Sequence, residues 1–393
     1  MNFEKFLASE LERIQRAYLR RSLRVINSPQ GPEVSCEGRS VANFASNDYL
    51  GLAAHPNLRH AAHEALDQTG TGSGASRLIC GTHLHHERLE EALTRFKRTG
   101  SALTFSSGYA AALGTIPALA GKGDVIILDK LCHACLVDGA RLSGASIRVF
   151  PHNGLEKLES HLRWAVQTFP AARVLILVES VYSMDGDRAP LGEIVELKER
   201  FGAWLLVDEA HGIGVVGRQG RGLVDELGLS SRIEVQMGTL GKALGSCGAY
   251  ICGSAALRDY LVNRARSFIF STAPPPHCAA ASRAAVELLG SADGESLVNK
   301  LHENIAMLAG CLSVSPQSAI FPLMIGDEKA AVAASQGLLA AGFLVPAIRY
   351  PTVARGSARL RATVSAAHDR GIIERLASRA GPLRRSTALT SEA

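Results

Sequence analysis

Aromatic residues make up only 5% of this chain, two of them tryptophans, and no basic stripe is interleaved with them. Nucleic-acid surfaces combine such a stripe with stacking rings, so composition argues against that partner class. The formal net charge of +5 is too small to restore it and fits an anionic small substrate at most. No segment reads as a membrane span. The uncharged run from Ser101 to Gly121 is long enough to raise the question. It carries serines, threonines and four glycine or proline breaks, which suits a buried strand leading into a helix. A secretory signal is also missing, because Glu4, Glu10 and Glu12 interrupt any apolar core. The expectation is a soluble, cytoplasmic protein.

Eight cysteines in 393 residues are too few for a disulfide framework. The one C-x-x-C, Cys132 to Cys135, lacks the second pair a zinc site needs, since Cys247 and Cys252 have the wrong spacing. No metal is expected, and reduced structural thiols are the default. The cluster Gly70-Thr-Gly-Ser-Gly74 follows no β-run, so the dinucleotide fingerprint fails on context and a turn suffices.

Hydrophobic residues at 47% and charged residues at 20% describe an ordinary globular protein, long enough for two domains. Residues 3–24 place Phe3, Phe6, Leu7, Leu11, Ile14 and Tyr18 on one helical stripe. Arg20, Arg21 and Arg24 then fall where cations suit a helix C-terminus. From residue 101 apolar runs alternate with helical stretches: Ala102–Phe105, Val125–Leu128, Ile147–Phe150, Val174–Val178, Trp204–Val207, Val235–Met237 and Ala249–Cys252. Near-continuous apolar strands with helix-length connections mark a mainly parallel sheet covered on both faces. After Pro274-Pro-Pro276 the pattern turns helical over 277–312, with short strands at 319–325 and 359–364. The expected segments are a helix and strand over 1–45, a large domain over 46–285 and a small α/β domain over 286–393. The tail from Leu383 reads as frayed.

In such sheets ligands bind beyond the carboxyl ends of the strands. The residues there are Ser106 to Tyr109, Asp129 with His133, Glu179 with Ser183 to Asp187, Asp208 to His211, and Thr239 with Lys242. Lys242 lies in Met237-Gly-Thr-Leu-Gly-Lys-Ala-Leu-Gly245, and residues 235–249 contain no acid. A lysine among small residues is either a snorkelling core-edge residue or an amine kept for imine chemistry, which desolvation favours. An imine-forming lysine, an acid for a pyridinium nitrogen, a ring to stack and small donors for a phosphate together describe pyridoxal phosphate. Each residue also has a plainer reading. Asp208 serves as a helix cap, His133 as a satisfied core histidine, and Tyr109 as core.

The set Asn47-Asp-Tyr-Leu-Gly51, Ser107-Gly-Tyr109, His133, Ser183-Met-Asp-Gly-Asp187, Asp208-Glu-Ala-His-Gly212 and Thr239-Leu-Gly-Lys242 resembles the α-oxoamine synthases. These are a branch of the fold-type I pyridoxal-phosphate transferases, and the similarity runs from about residue 20 to about 380. The resemblance implies the aspartate-aminotransferase-like α/β fold and a set of roles. Lys242 would anchor the cofactor and serve as base, Asp208 would pair with the ring nitrogen, and His211 with the ring oxygen. His133 would stack on the ring, while Ser107, Gly108, Tyr109 and Thr239 would hold the phosphate. Ser271 and Thr272 would reach it across a dimer interface. Ser183 would lie between cofactor and substrate. Asn47, Thr352 and Arg361 would serve the substrate, and Arg21 would stand near the acyl-thioester entrance. The stretch Ala347 to Val353, with Arg359-Leu-Arg361 and Ser365 to His368, is most similar to members that join L-alanine to a pimeloyl thioester on coenzyme A or a carrier protein. A glycine and acetyl-CoA specificity, an aminotransferase and an inactive scaffold on the same fold stay open at this point. The resemblance also implies a homodimer. Tyr350, where the pattern often has proline, and Cys132 and Cys135, where serines are frequent, are departures.

Overall fold

A computed structural model describes residues 2–388, with side chains through residue 383. The strands, in chain order among these residues, are β1 (Glu33–Cys36), β2 (Arg39–Asn43), β3 (Ser101–Phe105), β4 (Val125–Asp129) and β5 (Ser146–Phe150). Then come β6 (Val174–Glu179), β7 (Trp204–Asp208), β8 (Val235–Thr239) and β9 (Ala249–Gly253). The last are β10 (Ile320–Gly326), β11 (Phe343–Leu344), β12 (Ala347–Ile348) and β13 (Ala358–Thr363).

The chain divides into two compact units. One comprises Leu52–Ser183 and Asp187–Asn299. It is built on a seven-stranded sheet of order β3-β9-β8-β7-β6-β4-β5. Strands β8, β7, β6, β4 and β5 run parallel, whereas β9 is antiparallel to both neighbours. Every residue of β4 and β6 is buried, as strands covered on both faces require. Ile126, Leu128, Leu175 and Leu177 pack with the helices Gly108–Leu119 and Ala134–Ser143. Ile127, Ile176, Val178, Leu205 and Val207 alternate with them and are equally buried on the opposite face. Because β3 and β8 both oppose β9, the carboxyl ends of β3, β8, β7, β6 and β4 share one edge of the sheet.

The other unit gathers Met1–Gly51, Met184–Gly186 and Lys300–Ala393. Its boundaries differ from the three expected segments for a hydrogen-bonding reason. Strand β2 pairs with β1 on one side and, in parallel, with β11 on the other, so the amino-terminal strands belong with the carboxyl-terminal ones. Thr363 and Ala366 also donate their amides to the carbonyls of Phe44 and Tyr49, at 2.9 and 2.8 Å. A second small sheet, β10-β13-β12, is antiparallel throughout.

Three expectations about helices are corrected. The first helix is Phe3–Arg16, not 3–24: Tyr18 takes a positive φ of 57° and the chain leaves the helix there. Arg13 and Arg16, not Arg20, Arg21 and Arg24, therefore occupy its last turn. The expected stretch 277–312 is two helices, Pro276–Leu289 and Ala292–Leu312, separated at Gly290 and Ser291. The tail expected to fray from Leu383 is helical through Ala388, and the same expectation for 389–393 lies outside the described residues. The positive φ of 71° at both Gly70 and Gly74 agrees with the turn read from that cluster.

Candidate active site

Lys242 sits in a hairpin loop. Strand β8 ends at Thr239, directly opposite Ala249 at the start of β9, so residues 240–248 must turn back within a narrow span. Leu240 donates its amide to Gly248 O and Ser246 donates to Leu240 O, both at 2.9 Å. Thr239 Oγ1 donates to Gly248 O at 3.1 Å and accepts the Gly241 amide at 3.2 Å. Gly245 has a φ of 62°, and a Cβ there would stand 2.4 Å from the Leu52 carbonyl carbon, so both geometry and space demand glycine. The loop delivers Lys242 Nζ to His211 Nε2 at 2.7 Å.

Two carboxylates close the ends of neighbouring strands in register, Glu179 on β6 opposite Asp208 on β7. Both are buried. Burial raises the pKa of each, and their mutual repulsion raises that of Glu179 further, while the charge of Lys242 opposes the shift at both. Asp208 Oδ1 accepts the Ala210 amide at 2.9 Å, a bond within its own turn. A cationic N–H delivered to this carboxylate would compensate its burial. Glu179 Oε1 accepts the His133 amide at 2.5 Å, and the Ser183 amide also binds this carboxylate. Glu179 thus fixes two segments that carry candidate residues.

His133 caps the helix Ala134–Ser143 by accepting the Cys135 amide at Nδ1, 3.2 Å away. Desolvation lowers its pKa, with Asp208 opposing, so the ring is a neutral flat surface at neutral pH. Cys132 is buried and donates its thiol to Leu177 O at 3.3 Å; Cys135 Sγ lies 3.0 Å from His133 Nδ1. Burial pushes both thiols up, which disfavours the thiolates that metal ligation needs.

The helix Gly108–Leu119 begins directly after β3. Ser107 caps it, its Oγ accepting the Ala110 amide at 3.1 Å. The first-turn amides of Gly108 and Tyr109 have no partners within the helix and form an anion-binding geometry. The Tyr109 ring is exposed and its hydroxyl donates to Asp138, so the alternative reading of Tyr109 as core does not hold. Thr272 forms a β-bridge with Ser76, and the neighbouring Ala273 amide donates to Ala75 O at 2.9 Å. That places Ser271 and Thr272 beside the segment following the glycine cluster.

In the other unit, Arg361 on β13 is buried and gathers two residues of the Asn47-Asp-Tyr motif. Its Nη1 donates to Asn47 Oδ1 at 3.1 Å and its Nη2 to the Tyr49 hydroxyl at 3.4 Å. Tyr49 closes the triangle by donating to Asn47 Oδ1 at 3.1 Å. Burial raises the Tyr49 pKa, with Arg361 opposing, so the phenol stays protonated. Arg21 donates to Tyr350 O at 3.3 Å, and Thr352 is exposed with its amide on Arg349 O at 3.0 Å. His368 is a structural residue, stacked on Phe44 at 4.2 Å and bonded to Asn43 O at 3.1 Å.

Sequence alone assigns no role to Glu179, Tyr49 or His152. Glu179 carries a usable signal, since it ends an apolar run as Asp208 does. His152 carries none. It bridges Asp129 Oδ1 at 3.1 Å and Asp187 Oδ2 at 2.6 Å, partners far from it in sequence.

The family model for aminotransferase class I and II matches residues 39–379. An 8-amino-7-oxononanoate synthase of Geobacter sulfurreducens is 48% identical over 375 residues, covering 94% of this chain and 95% of that one. A solved serine palmitoyltransferase from S. paucimobilis, with a bound PLP–myriocin aldimine, superposes with a TM-score of 0.91 at 30% identity. It covers 99% of this chain and 100% of that one. An 8-amino-7-oxononanoate synthase from Francisella tularensis gives a TM-score of 0.74 at 26% identity, covering 88% and 99%.

Proposed function

We propose, since this chain belongs to the aminotransferase class I and II family and within it to the α-oxoamine synthases, that it condenses L-alanine with a pimeloyl thioester. The product is 8-amino-7-oxononanoate, an intermediate of biotin biosynthesis. The alanine Cα–H bond breaks, Cα bonds to the acyl carbon, the thiol departs with a proton, the carboxylate leaves as carbon dioxide, and a proton from solvent takes its place at Cα. The observation that carries the reading is the Lys242–His211 contact at 2.7 Å on the strand edge that also holds buried Asp208.

The cofactor is pyridoxal phosphate, which when bound supplies an electrophilic carbon and a ring that accepts the electron pair left at Cα. The donor set fits it. A primary amine stands on a loop cleared by glycines, and a buried carboxylate awaits a cation. A neutral imidazole stands nearby, and a capped helix N-terminus offers amides. Lys242 would hold the cofactor and then move the proton at the alanine Cα. His211 would hydrogen-bond the ring oxygen and orient that amine. Asp208 would keep the ring nitrogen protonated, and His133, held by Glu179, would cover the ring face. Ser107, Gly108, Tyr109 and Thr239 would take the phosphate, and Ser183 would contact substrate. Arg361, braced by Asn47 and Tyr49, would grip the amino-acid carboxylate. Thr352 and Arg21 would stand toward the acyl thioester.

The homodimer belongs to the same reading. Leu78, Ile79 and Phe270 are exposed on two segments joined by the Ser76–Thr272 bridge, an apolar patch suited to a second copy. Ser271 and Thr272 on that patch would then reach the partner's phosphate. Among the described residues no helix is long and apolar enough to cross a membrane, and the reading is of a cytoplasmic enzyme.

The test is thiol release from a substrate panel. L-Alanine with pimeloyl-CoA or the pimeloyl carrier protein is expected to turn over at least tenfold faster than glycine with acetyl-CoA. L-Serine with palmitoyl-CoA, the pairing suggested by the serine palmitoyltransferase likeness, is expected to be equally poor. A preference for either of these pairs would reassign the substrate within the branch.

A further inference from the structure

A cavity of about 870 Å³ in the unit that carries Lys242 is lined by none of the candidate active-site residues. It opens at the opposite edge of the seven-stranded sheet, where Trp204 starts β7, Val235 starts β8 and Gly253 ends antiparallel β9. Its volume falls within the usual range for small-molecule sites, roughly 300–1,000 Å³. Leu119, Trp204, Ile233, Val235 and Leu257 give it an apolar floor, which suits a hydrocarbon body and not a compact polar anion.

The charge at the rim selects the head group. Two arginines line the cleft, Arg98 just before β3 and Arg173 just before β6. Four strand spacings separate those strands, about 19 Å at the usual interval. Arg173 is committed, its Nε and Nη2 donating to Asp124 at 3.1 and 2.6 Å. Arg98 is looser. Its side chain is 61% exposed and its ion pair to Asp225 spans 3.3 Å. The only carboxylate of the lining, Glu234, is held by Lys198 and by the Leu205 amide. Each of these charges has a partner, but Arg98 is the most exposed and meets Asp225 through one guanidinium nitrogen only, so the cationic donors offered to a ligand are concentrated at the Arg98 end.

We propose that this cleft is a second ligand site, separate from the catalytic one, for an amphipathic organic anion of the medium-chain aliphatic carboxylate class. The tail lies along the strand ends under Trp204, and the carboxylate takes the outer donors of Arg98, a charge-assisted pairing. The proposal goes beyond the catalytic reading and does not depend on it.

Trp204 makes the site observable. The chain has two tryptophans, so Trp164→Phe leaves Trp204 as the only one. In that holoenzyme, decanoate is expected to change the Trp204 emission saturably, with a submillimolar dissociation constant. Decanol should bind at least tenfold more weakly and decylamine more weakly still. Arg98→Gln should weaken decanoate at least fivefold and leave decanol unchanged, which a general loss of folding would not do. The visible band of the cofactor, reporting the other edge of the sheet, should stay constant. The proposal is overturned by a non-saturable response, by decylamine binding as tightly as decanoate, or by an Arg98→Gln variant that binds decanoate normally. Displacement of decanoate by saturating L-alanine and pimeloyl thioester would place it in the catalytic site and also overturn the proposal.

Discussion

Lys242 Nζ and His211 Nε2 stand 2.7 Å apart, within hydrogen-bond reach, so the imidazole helps to set where the amine points. Lys242→Ala is expected to abolish turnover while cofactor still binds without a covalent link. Borohydride treatment followed by mass measurement of the denatured chain checks this: wild type retains the added mass and the variant does not. A second prediction concerns His152. Burial alone would lower its pKa, but hydrogen bonds to Asp129 and Asp187 overcome that and raise it to about 10. The folded value lies above the ordinary one near 6.5. The contribution to stability is therefore complete below about pH 6.5 and fades as pH rises through about 10. His152→Gln should lower the melting temperature most near pH 6, with the deficit shrinking between about pH 6.5 and about pH 10 and gone above that; a deficit that is constant or grows with pH contradicts the assignment. These two residues also mark how far single positions are legible in the sequence. Lys242, Asp208 and His133 each follow an apolar run, so the rule that strand ends carry chemistry points to them from the residue order alone. The roles of His152, Glu179 and Tyr49 arise from partners between 2 and about 300 positions away, such as Arg361 for Tyr49. Only a folded chain displays those pairings.

At the level of elements, the cap of the helix Gly108–Leu119 is expected to serve both stability and anion binding. Ser107→Ala removes the acceptor for the Ala110 amide and should cost about 1 kcal/mol. Thermal unfolding of the variant without cofactor should fall by a few degrees, and the affinity for pyridoxal phosphate should fall further than for pyridoxal. Equal losses for both would remove Ser107 from the phosphate site. The strands of the seven-stranded sheet were readable to within about two residues because buried parallel strands are written as unbroken apolar runs, as in Val174–Glu179. The direction of β9 was not readable, since Ala249–Gly253 is as apolar as the parallel strands of the same sheet. Its reversal turns the Lys242 segment into a hairpin instead of a crossover. The first helix was overextended because the stripe continues to Tyr18, while the turn that ends the helix depends on a positive φ that a tyrosine does not announce.

For the whole molecule, the dimer is the prediction. The 41.6 kDa chain is expected to sediment at twice its mass, and Phe270→Asp, at a side chain 69% exposed in one chain, to sediment as a monomer. If Ser271 and Thr272 serve the partner's phosphate, that monomer should lose at least tenfold in turnover; a fully active monomer would refute the shared site. Domain boundaries were the least legible feature at this scale, because composition does not reveal that β2 pairs with β11. That pairing has a consequence in time. On a ribosome β1 and β2 emerge among the first fifty residues, yet the partner of Ala42 on the side away from β1 is Phe343. The seven-stranded sheet is fully synthesised once Gly253 has appeared. β2 can pair with β1 at once, but its other edge is among the last to be covered, and the nascent chain carries that open strand edge through most of its translation, the interval in which a chaperone has the most to protect.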